Sequence, residues 1–298
     1  MDIRRITPEA RDLPALDDTL RRWWAHGSAH ELHPGDLGWH QRLGAEATAA
    51  ALRVWSRGEE VLGIGLLDGP GLARVALAPG AGSDRELARS IAADATDPAR
   101  DVLPEGPASL AVRGSEALPE ALRERGWRTD EAWALLHCDL AQHPAAGGAA
   151  AAEQERSGVR TVVAGPEDTR AVGEVLASAF GMRTVPDPRR WQAMAAAPAA
   201  RRARCLLARD RDGAPVATVT VWSAGPGLPG LVEPMGVHAE HRGRGLGRLI
   251  TRAGLEALRE MGASGAVVAT PAANAAAVAT YRSAGFARGA DTHDLSRA

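Results

Sequence analysis

Apolar and polar positions along this chain fall into alternating helical and strand-like rhythms, and the whole series occurs twice. Near the start, IRRITPEARDLPALDDTLRRWW reads as a short strand, a Pro-Glu helix start and an amphipathic helix with apolar residues three and four apart. VRTVVAGPEDTRAVGEVLASAF, beginning at Val159, has the same plan. Each is followed by two strand-like stretches around a turn, RVWSRGEEVLGIGLL (53–67) and LLARDRDGAPVATVTVW (206–222). A short apolar strand comes next in both, ARVAL (73–77) and LVEPMGV (231–237). Each half closes on a helix ending Arg-x-x-Gly-aromatic, RERGW (123–127) and RSAGF (282–286). Leu77 lies 49 residues before Gly126, and Val237 lies 48 before Gly285. The pattern predicts a duplicated domain, with halves at 1–141 and 158–298. Between them, 142–157 (QHPAAGGAAAAEQERS) is poor in large apolar residues and reads as a linker, although its alanine run could form a short helix. The competing reading is two unrelated domains with similar helix ends.

Composition narrows the function classes. At 298 residues, 45% hydrophobic and 24% charged, the chain can build two ordinary globular cores. A net charge of −2 leaves no electrostatic footprint for nucleic acid or an anionic membrane. No apolar run approaches the roughly 20 residues of a membrane span, and MDIRRITPEARDLP lacks the apolar region of a secretory signal. The expectation is a cytoplasmic protein, with Cys138 and Cys205 as buried small hydrophobes rather than a disulfide or a metal pair. All 35 basic residues are arginine, which removes phosphate-loop and Schiff-base chemistry, since both need lysine. Asn274 is the sole asparagine and Tyr281 the sole tyrosine, seven residues apart.

The chemistry concentrates in LVEPMGVHAEHRGRGLGRLITRAGLEALR (231–259), an apolar strand, a glycine-rich turn and an amphipathic helix. A helix start reached through close glycines is an anion site, because unpaired amides and the helix dipole both favour negative charge. Gly243, Gly245 and Gly247 allow close backbone approach, and Arg242, Arg244 and Arg248 can add charge-assisted contacts. The G-x-G-x-G spacing differs from the G-x-G-x-x-G of dinucleotide folds, and the next strand ends in Thr-Pro rather than an acid. An ordinary helix-start loop with solvated arginines is the bland alternative.

Arg242-Gly243-Arg244-Gly245-Leu246-Gly247 resembles the R/Q-x-x-G-x-G/A acetyl-CoA signature of the GNAT (Gcn5-related N-acetyltransferase) superfamily. Downstream, Asn274, Ala277, Tyr281, Gly285 and Phe286 resemble the family's N-x-x-A-x-x-L-Y-x-x-x-G-F element, with Thr280 where leucine is usual. The likeness covers most of residues 159–298. It implies two tandem α/β (α+β) folds, each a mixed, mostly antiparallel sheet flanked by helices. It further implies acetyl-CoA as acyl donor, lying along Met235, Gly236 and Val237, with its pyrophosphate on the amides of Arg242 to Arg248. Asn274 would fix the cofactor arm within the Asn274–Ala277 element, and Tyr281 would protonate the departing thiolate. Leu231 stands where many members carry the basic glutamate. Glu233, two residues on and so on the same strand face, could inherit that role or merely contact the amine. His238 and His241 read as loop surface residues rather than bases.

Aligned on the closing Gly-aromatic pairs, Ser115 of the first half stands where Asn274 does and Leu122 where Tyr281 does. The strand at 73–77 is followed by APGAGSDRELAR, without the signature. The first half thus looks like a degenerate copy, similar in plan to two-copy bacterial acetyltransferases such as mycothiol synthase, though Gly80 and Gly82 could still cradle a phosphate. No metal is expected. His26, His30 and His33 lie in broken helical register without a completing Cys or acid pair, while Glu31 and Asp36 are reasonable contacts for a cationic amine. In the second half, Phe180, Met182 and Trp191 occupy helices that line the acceptor site in this family. The expected activity is direct acetyl transfer to the primary amine of a small molecule. A protein N-acetyltransferase and a non-catalytic acyl-CoA sensor or partner protein are the alternatives. The acceptor's identity and the oligomeric state are not encoded in these motifs.

Overall fold

The computed structural model describes residues 2–26, 31–142 and 156–298. The expected linker therefore falls, but for its ends, outside the described residues, as does His30. The chain folds as two compact units, Met1–Trp133 with Asp291–Ala298, and Ala134–Ala290.

The first unit begins with β1 (Ile3–Ile6), α1 (Leu13–Ala25), α2 (Pro34–His40) and α3 (Ala45–Ala50). Then come β2 (Leu52–Arg57), β3 (Glu60–Leu67), β4 (Leu72–Leu77), α4 (Arg85–Thr96), β5 (Ala108–Val112) and α5 (Ala117–Arg123). Strands β1 to β4 pair antiparallel in order, and β5 joins β4 in parallel. The chain's last residues close this sheet, with Leu295 opposite Leu110 in an antiparallel pair. Strand β6 (Arg128–Asp139) then runs on from the first unit into the second.

The second unit continues with β7 (Arg160–Val163), α6 (Thr169–Phe180), α7 (Pro188–Ala196), β8 (Ala203–Arg209), β9 (Pro215–Trp222) and β10 (Pro229–Val237). It is completed by α8 (Leu246–Glu260), β11 (Gly265–Pro271), α9 (Ala275–Ser283) and the start of β12 (Ala287–Arg297). The order repeats the first unit's. Strands β7 to β10 are antiparallel, β11 joins β10 in parallel, and β6 lies beside β11. Thus β6 leaves the half of the chain that precedes it, and β12 ends in the other unit.

Periodicity accounts for the packing. Along α8, Leu246, Leu249, Ile250, Leu255 and Leu258 are buried on one side, each contributing about 1.5–3 kcal/mol relative to exposure. They share a core with Leu136, Cys138 and Leu140 of the β6 segment and with Val219 and Val221 of β9. Gly254 lets the helix sit close, since a Cβ there would stand 2.9 Å from a Val221 methyl carbon. Both cysteines are free and buried, and burial pushes both thiols up.

In the first unit, alternation sends Leu110, Val112 and Leu295 into one core and turns Arg74 and Asp294 to the other face. There Arg74 bonds Glu31 (3.1 Å), Asp36 (2.9 Å) and Asp68 (3.3 Å), and Arg113 approaches Glu31 at 2.8 Å. Glu31 and Asp36, read from the sequence as amine contacts, are buried and engaged by these arginines. Asp294 faces the same group. Its carboxyl is pushed up to about 6 by burial and by Glu31 and Asp130, against the opposing pull of Arg113 and Arg74.

That shift sets a pH dependence. An aspartate whose folded value lies above its unfolded one costs nothing below about pH 4, and its penalty is complete once pH passes about 6. Asp294→Asn should therefore raise stability by about 1–2 kcal/mol at pH 7.5, a figure reduced for partial solvent screening. Near pH 3.5 it should change nothing. Chemical denaturation of both proteins at the two pH values checks this.

Candidate functional site

The candidate site lies where β10 parts from β11. Their pairing covers Pro229–Gly265, Gly230–Ala266 and Leu231–Val267, and β10 then continues to Val237 against β9 alone. On the β9 side, His238 donates its amide to Val216 O (2.9 Å). Antiparallel pairs alternate between bonded and non-bonded, so Gly236, opposite Thr218, is also bonded to β9. Met235 and Val237 consequently turn their backbone groups toward the side that β11 has left. An extended ligand can add there as a strand would.

A register shift between Val232 and Met235 brings Glu233 and Pro234 into the bend, joined by a cis peptide bond. The Glu233 carbonyl accepts from the Trp222 indole N–H at 2.9 Å. Gly236 has a packing role, because a Cβ there would come within 2.7 Å of Ala179 Cβ and 4.0 Å of the Phe180 ring. Phe180 and Met182 remain 57% and 47% exposed beside this bend, an apolar surface next to the opened strand.

Past Val237 a short turn, Ala239–His241, leads into the glycines and α8. The Ala239 amide donates to Ser178 Oγ at 3.0 Å, and Arg242 Nη2 donates to Ala179 O at 2.7 Å. Both bonds tie the turn to the end of α6. Sequence reasoning missed Ser178, Ala179 and Trp222 because their partners lie many residues away and no local pattern marks them. Gly243 and Gly245 have positive φ (74° and 78°), and a Cβ on either would meet nothing within 4 Å. Gly245 is the N-cap of α8 and offers no side chain to the first-turn amides. No side chain caps those amides, and the helix behind them is 15 residues long.

The remaining signature residues divide their work. Leu246 is buried in the core, so only its backbone faces the turn. Gly247 faces α9, where a Cβ would stand 2.8 Å from Thr280 Cγ2. Arg244 Nη1 bonds His241 Nδ1 at 2.9 Å, and Arg248 lies exposed in the first turn of α8. Asn274 caps α9, its Oδ1 accepting the Ala277 amide at 3.1 Å, which leaves its own N–H groups for a ligand.

Tyr281 is buried on α9, edge-on to Phe286 with ring centroids 5.6 Å apart. Its phenol is pushed well above the usual range, first by burial and second by the charge of Glu233. The two residues singled out for proton transfer, 48 positions apart in sequence, are thus electrostatic neighbours.

The equivalent place in the first unit is shut. Pairing of β4 with β5 runs to Val75–Val112, where β5 ends. The Asp84 carboxylate caps α4, accepting from Glu86 N and Leu87 N at 3.0 Å each. Burial alone would raise Asp84, but the Leu87 amide, Arg57 and the Glu86 amide outweigh it and hold the carboxyl below its ordinary range. Gly82 gives its carbonyl to Ser115 Oγ at 2.7 Å, and a Cβ on Gly82 would overlap Gly114 O. Leu122, at the Tyr281 position, is core.

Residues 169–286 match the model of the Acetyltransferase (GNAT) family. A stretch of 58 residues is 52% identical to the mycothiol acetyltransferase of Nocardia farcinica (strain IFM 10152), over 20% of this chain and 19% of that protein. The chain thus matches about a fifth of that relative's length. A tandem GNAT protein from the clavulanic acid biosynthesis pathway superposes with TM-score 0.66 at 20% identity, over 99% of this chain and 98% of its own. A GCN5-related N-acetyltransferase from Sphaerobacter thermophilus gives TM-score 0.59 at 20% identity, over 99% and 95%. These structural likenesses show that the chain shares the fold of those proteins over nearly its whole length. Among the described residues no helix is long and apolar enough to cross a membrane.

The contact of Gly247 with Thr280 is directly testable. Gly247→Ala should cost about 1–3 kcal/mol through overpacking. Thr280→Ala removes the opposing methyl, so the double variant should recover most of that loss in a thermal-denaturation cycle.

Proposed function

We propose that this chain, which carries a GNAT acetyltransferase domain over residues 169–286, transfers an acetyl group from acetyl-CoA to the primary amine of a small molecule. The observation that supports this best is the uncapped start of α8. Two left-handed glycines with open space above them leave its amides to an anion of pyrophosphate size. That opening adjoins the parted strands, whose Met235 and Val237 backbone groups suit an amide-bearing arm. Acetyl-CoA combines those two features with a reactive thioester.

In this reading the Arg242–Arg248 backbone and the α8 dipole bind the pyrophosphate, and the Asn274 amide group steadies the arm. The bend in β10 orients the thioester carbonyl, and a backbone N–H on the open edge stabilises the developing oxyanion. The neutral amine attacks the carbonyl carbon, the C–N bond forms, and the C–S bond breaks. The amine's surplus proton passes to Glu233, directly or through water. Tyr281 supplies a proton to the sulfur, and exchange with solvent restores both groups.

The high affinity of Tyr281 for its proton keeps the phenol neutral at every physiological pH, so the donor is always loaded. A phenol is a weak acid for a thiolate near 8.5. The same burial also raises the proton affinity of a thiolate beside it, which narrows the mismatch. Partial exposure of Phe180 and Met182 provides an apolar side to the acceptor's approach.

Calorimetric titration of the full chain with acetyl-CoA should give one site, because the first unit's helix start is filled by Asp84. Gly245→Glu should abolish binding by adding negative charge and a side chain at positive φ. No binding by the unaltered chain would end the acetyl-CoA reading, and two sites would show that the first unit also binds. Tyr281→Phe should lower kcat by about 10²–10⁴-fold while leaving acetyl-CoA affinity unchanged. Unaltered turnover would remove Tyr281 from the chemistry.

A further inference from the structure

The turn ahead of the glycines carries a second chemistry that acyl transfer does not use. His238, Glu240 and His241 each offer a ligand atom, and these atoms all lie within 4.8 Å of one another. The turn Ala239–His241 is 3-10, with His238 at its N-cap. Residues three apart are eclipsed in such a turn, which brings the two imidazoles together edge to face. Their ring centroids are 5.6 Å apart, at an interplanar angle of 72°.

The arrangement is held from outside. Ser178 Oγ takes the Ala239 amide, Ala179 O takes Arg242, and the His238 amide is fixed on Val216 O. The backbone beneath the three side chains is therefore anchored on both flanks, so closing the ligands around an ion needs only side-chain rotation. Ligands about 2.0–2.1 Å from a tetrahedral zinc stand about 3.3 Å apart, so against the 4.8 Å limit no pair has more than about 1.5 Å to close.

One atom lacks a partner. His238 Nδ1 is buried and makes no hydrogen bond. Leaving such a group unsatisfied costs about 1–3 kcal/mol, and coordination would satisfy it. His241 Nδ1 is occupied by Arg244 Nη1 at 2.9 Å, so an ion that recruits this imidazole through that nitrogen must displace Arg244.

We propose that His238, Glu240 and His241 form a binding site for one divalent transition-metal ion, with zinc as the reference species. Two imidazoles and one carboxylate suit zinc, nickel and copper better than magnesium or calcium, which prefer all-oxygen sets. Three protein ligands leave a fourth position for water. Binding through His241 Nδ1 transfers Arg244 from His241 to solvent or to an anion on the adjoining helix start. The site does not depend on the acyl-transfer reading, since its ligands are separate from the groups given roles there.

The test is titration of the chelator-stripped full chain with zinc chloride, followed by cobalt(II) spectroscopy. One saturable site per chain is expected, with the intense visible absorption of tetrahedral cobalt. His238→Ala, His241→Ala and Glu240→Gln should each weaken binding by more than about tenfold. Glu240 is exposed, so its variant keeps the test valid if a histidine variant misfolds. Absence of saturable binding would overturn the proposal. So would affinity unchanged in all three variants, which would assign the metal to other histidines, or an octahedral cobalt spectrum. Acetyl-CoA titration of the same stripped protein separates the readings, because failure there leaves the metal result standing.

Discussion

The amides at the start of a long helix need partners, and the two units meet that need in different ways. At α4 the chain supplies its own anion, the Asp84 carboxylate, which accepts two first-turn amides and pairs with Arg57. At α8 the equivalent position is Gly245, which has no side chain to give. A capping carboxylate contributes about 1 kcal/mol to its helix, so an uncapped start is a local sacrifice of stability. The adjoining features of the second unit follow from keeping that start open. Gly243 and Gly245 take positive φ without crowding, and Arg242 turns away to hold α6.

The parted strands extend the same constraint into the sheet. Beyond Leu231, β10 has no partner on its β11 side, which exposes backbone polar groups that a closed sheet would pair. The irregularity at Glu233–Pro234 and the Trp222 bond to the Glu233 carbonyl fix the shape of that opening. Tyr281 is buried on α9, in the core that Met235 and Val237 pack against, and the start of that helix is capped by Asn274. Gly247 lets α9 lie against α8, so Thr280 fits where a longer side chain would collide. In the first unit β5 stops where its pairing with β4 does, and Ser115 binds the turn that would otherwise remain free. The corresponding turn there is occupied by the chain's own side chains.

Much of this was legible in the sequence where function depends on local geometry. The glycine turn, the amphipathic helix after it and the Asn274–Tyr281 spacing are encoded within single turns and helices, so residue spacing alone exposes them. The order of strands in each half was also readable, because turns and alternation fix antiparallel neighbours. Long-range partners were not. Nothing in the pattern of β6 or β12 says which sheet it joins, since both alternate as any strand does. The burial of Glu31 and Asp36 against Arg74 depends on contacts some 40 residues apart, and an acid's sequence neighbours do not show whether it is solvated. Asn274 reads in the sequence as a ligand contact, and in the structure its Oδ1 caps α9 through the Ala277 amide.

The exchange of strands bears on how the two halves of the sequence depend on each other. Leu136, Cys138 and Leu140 belong to the core that also holds Leu246, Ile250 and Tyr281, yet they precede the second half of the sequence. The residues after Tyr281 lead into β12, whose end pairs with β5 in the first unit. A chain begun at Val159 would therefore lack part of the apolar surface against which α8 packs, and its last strand would have no neighbour. The second unit's site rests on a core that the first half of the sequence helps to build.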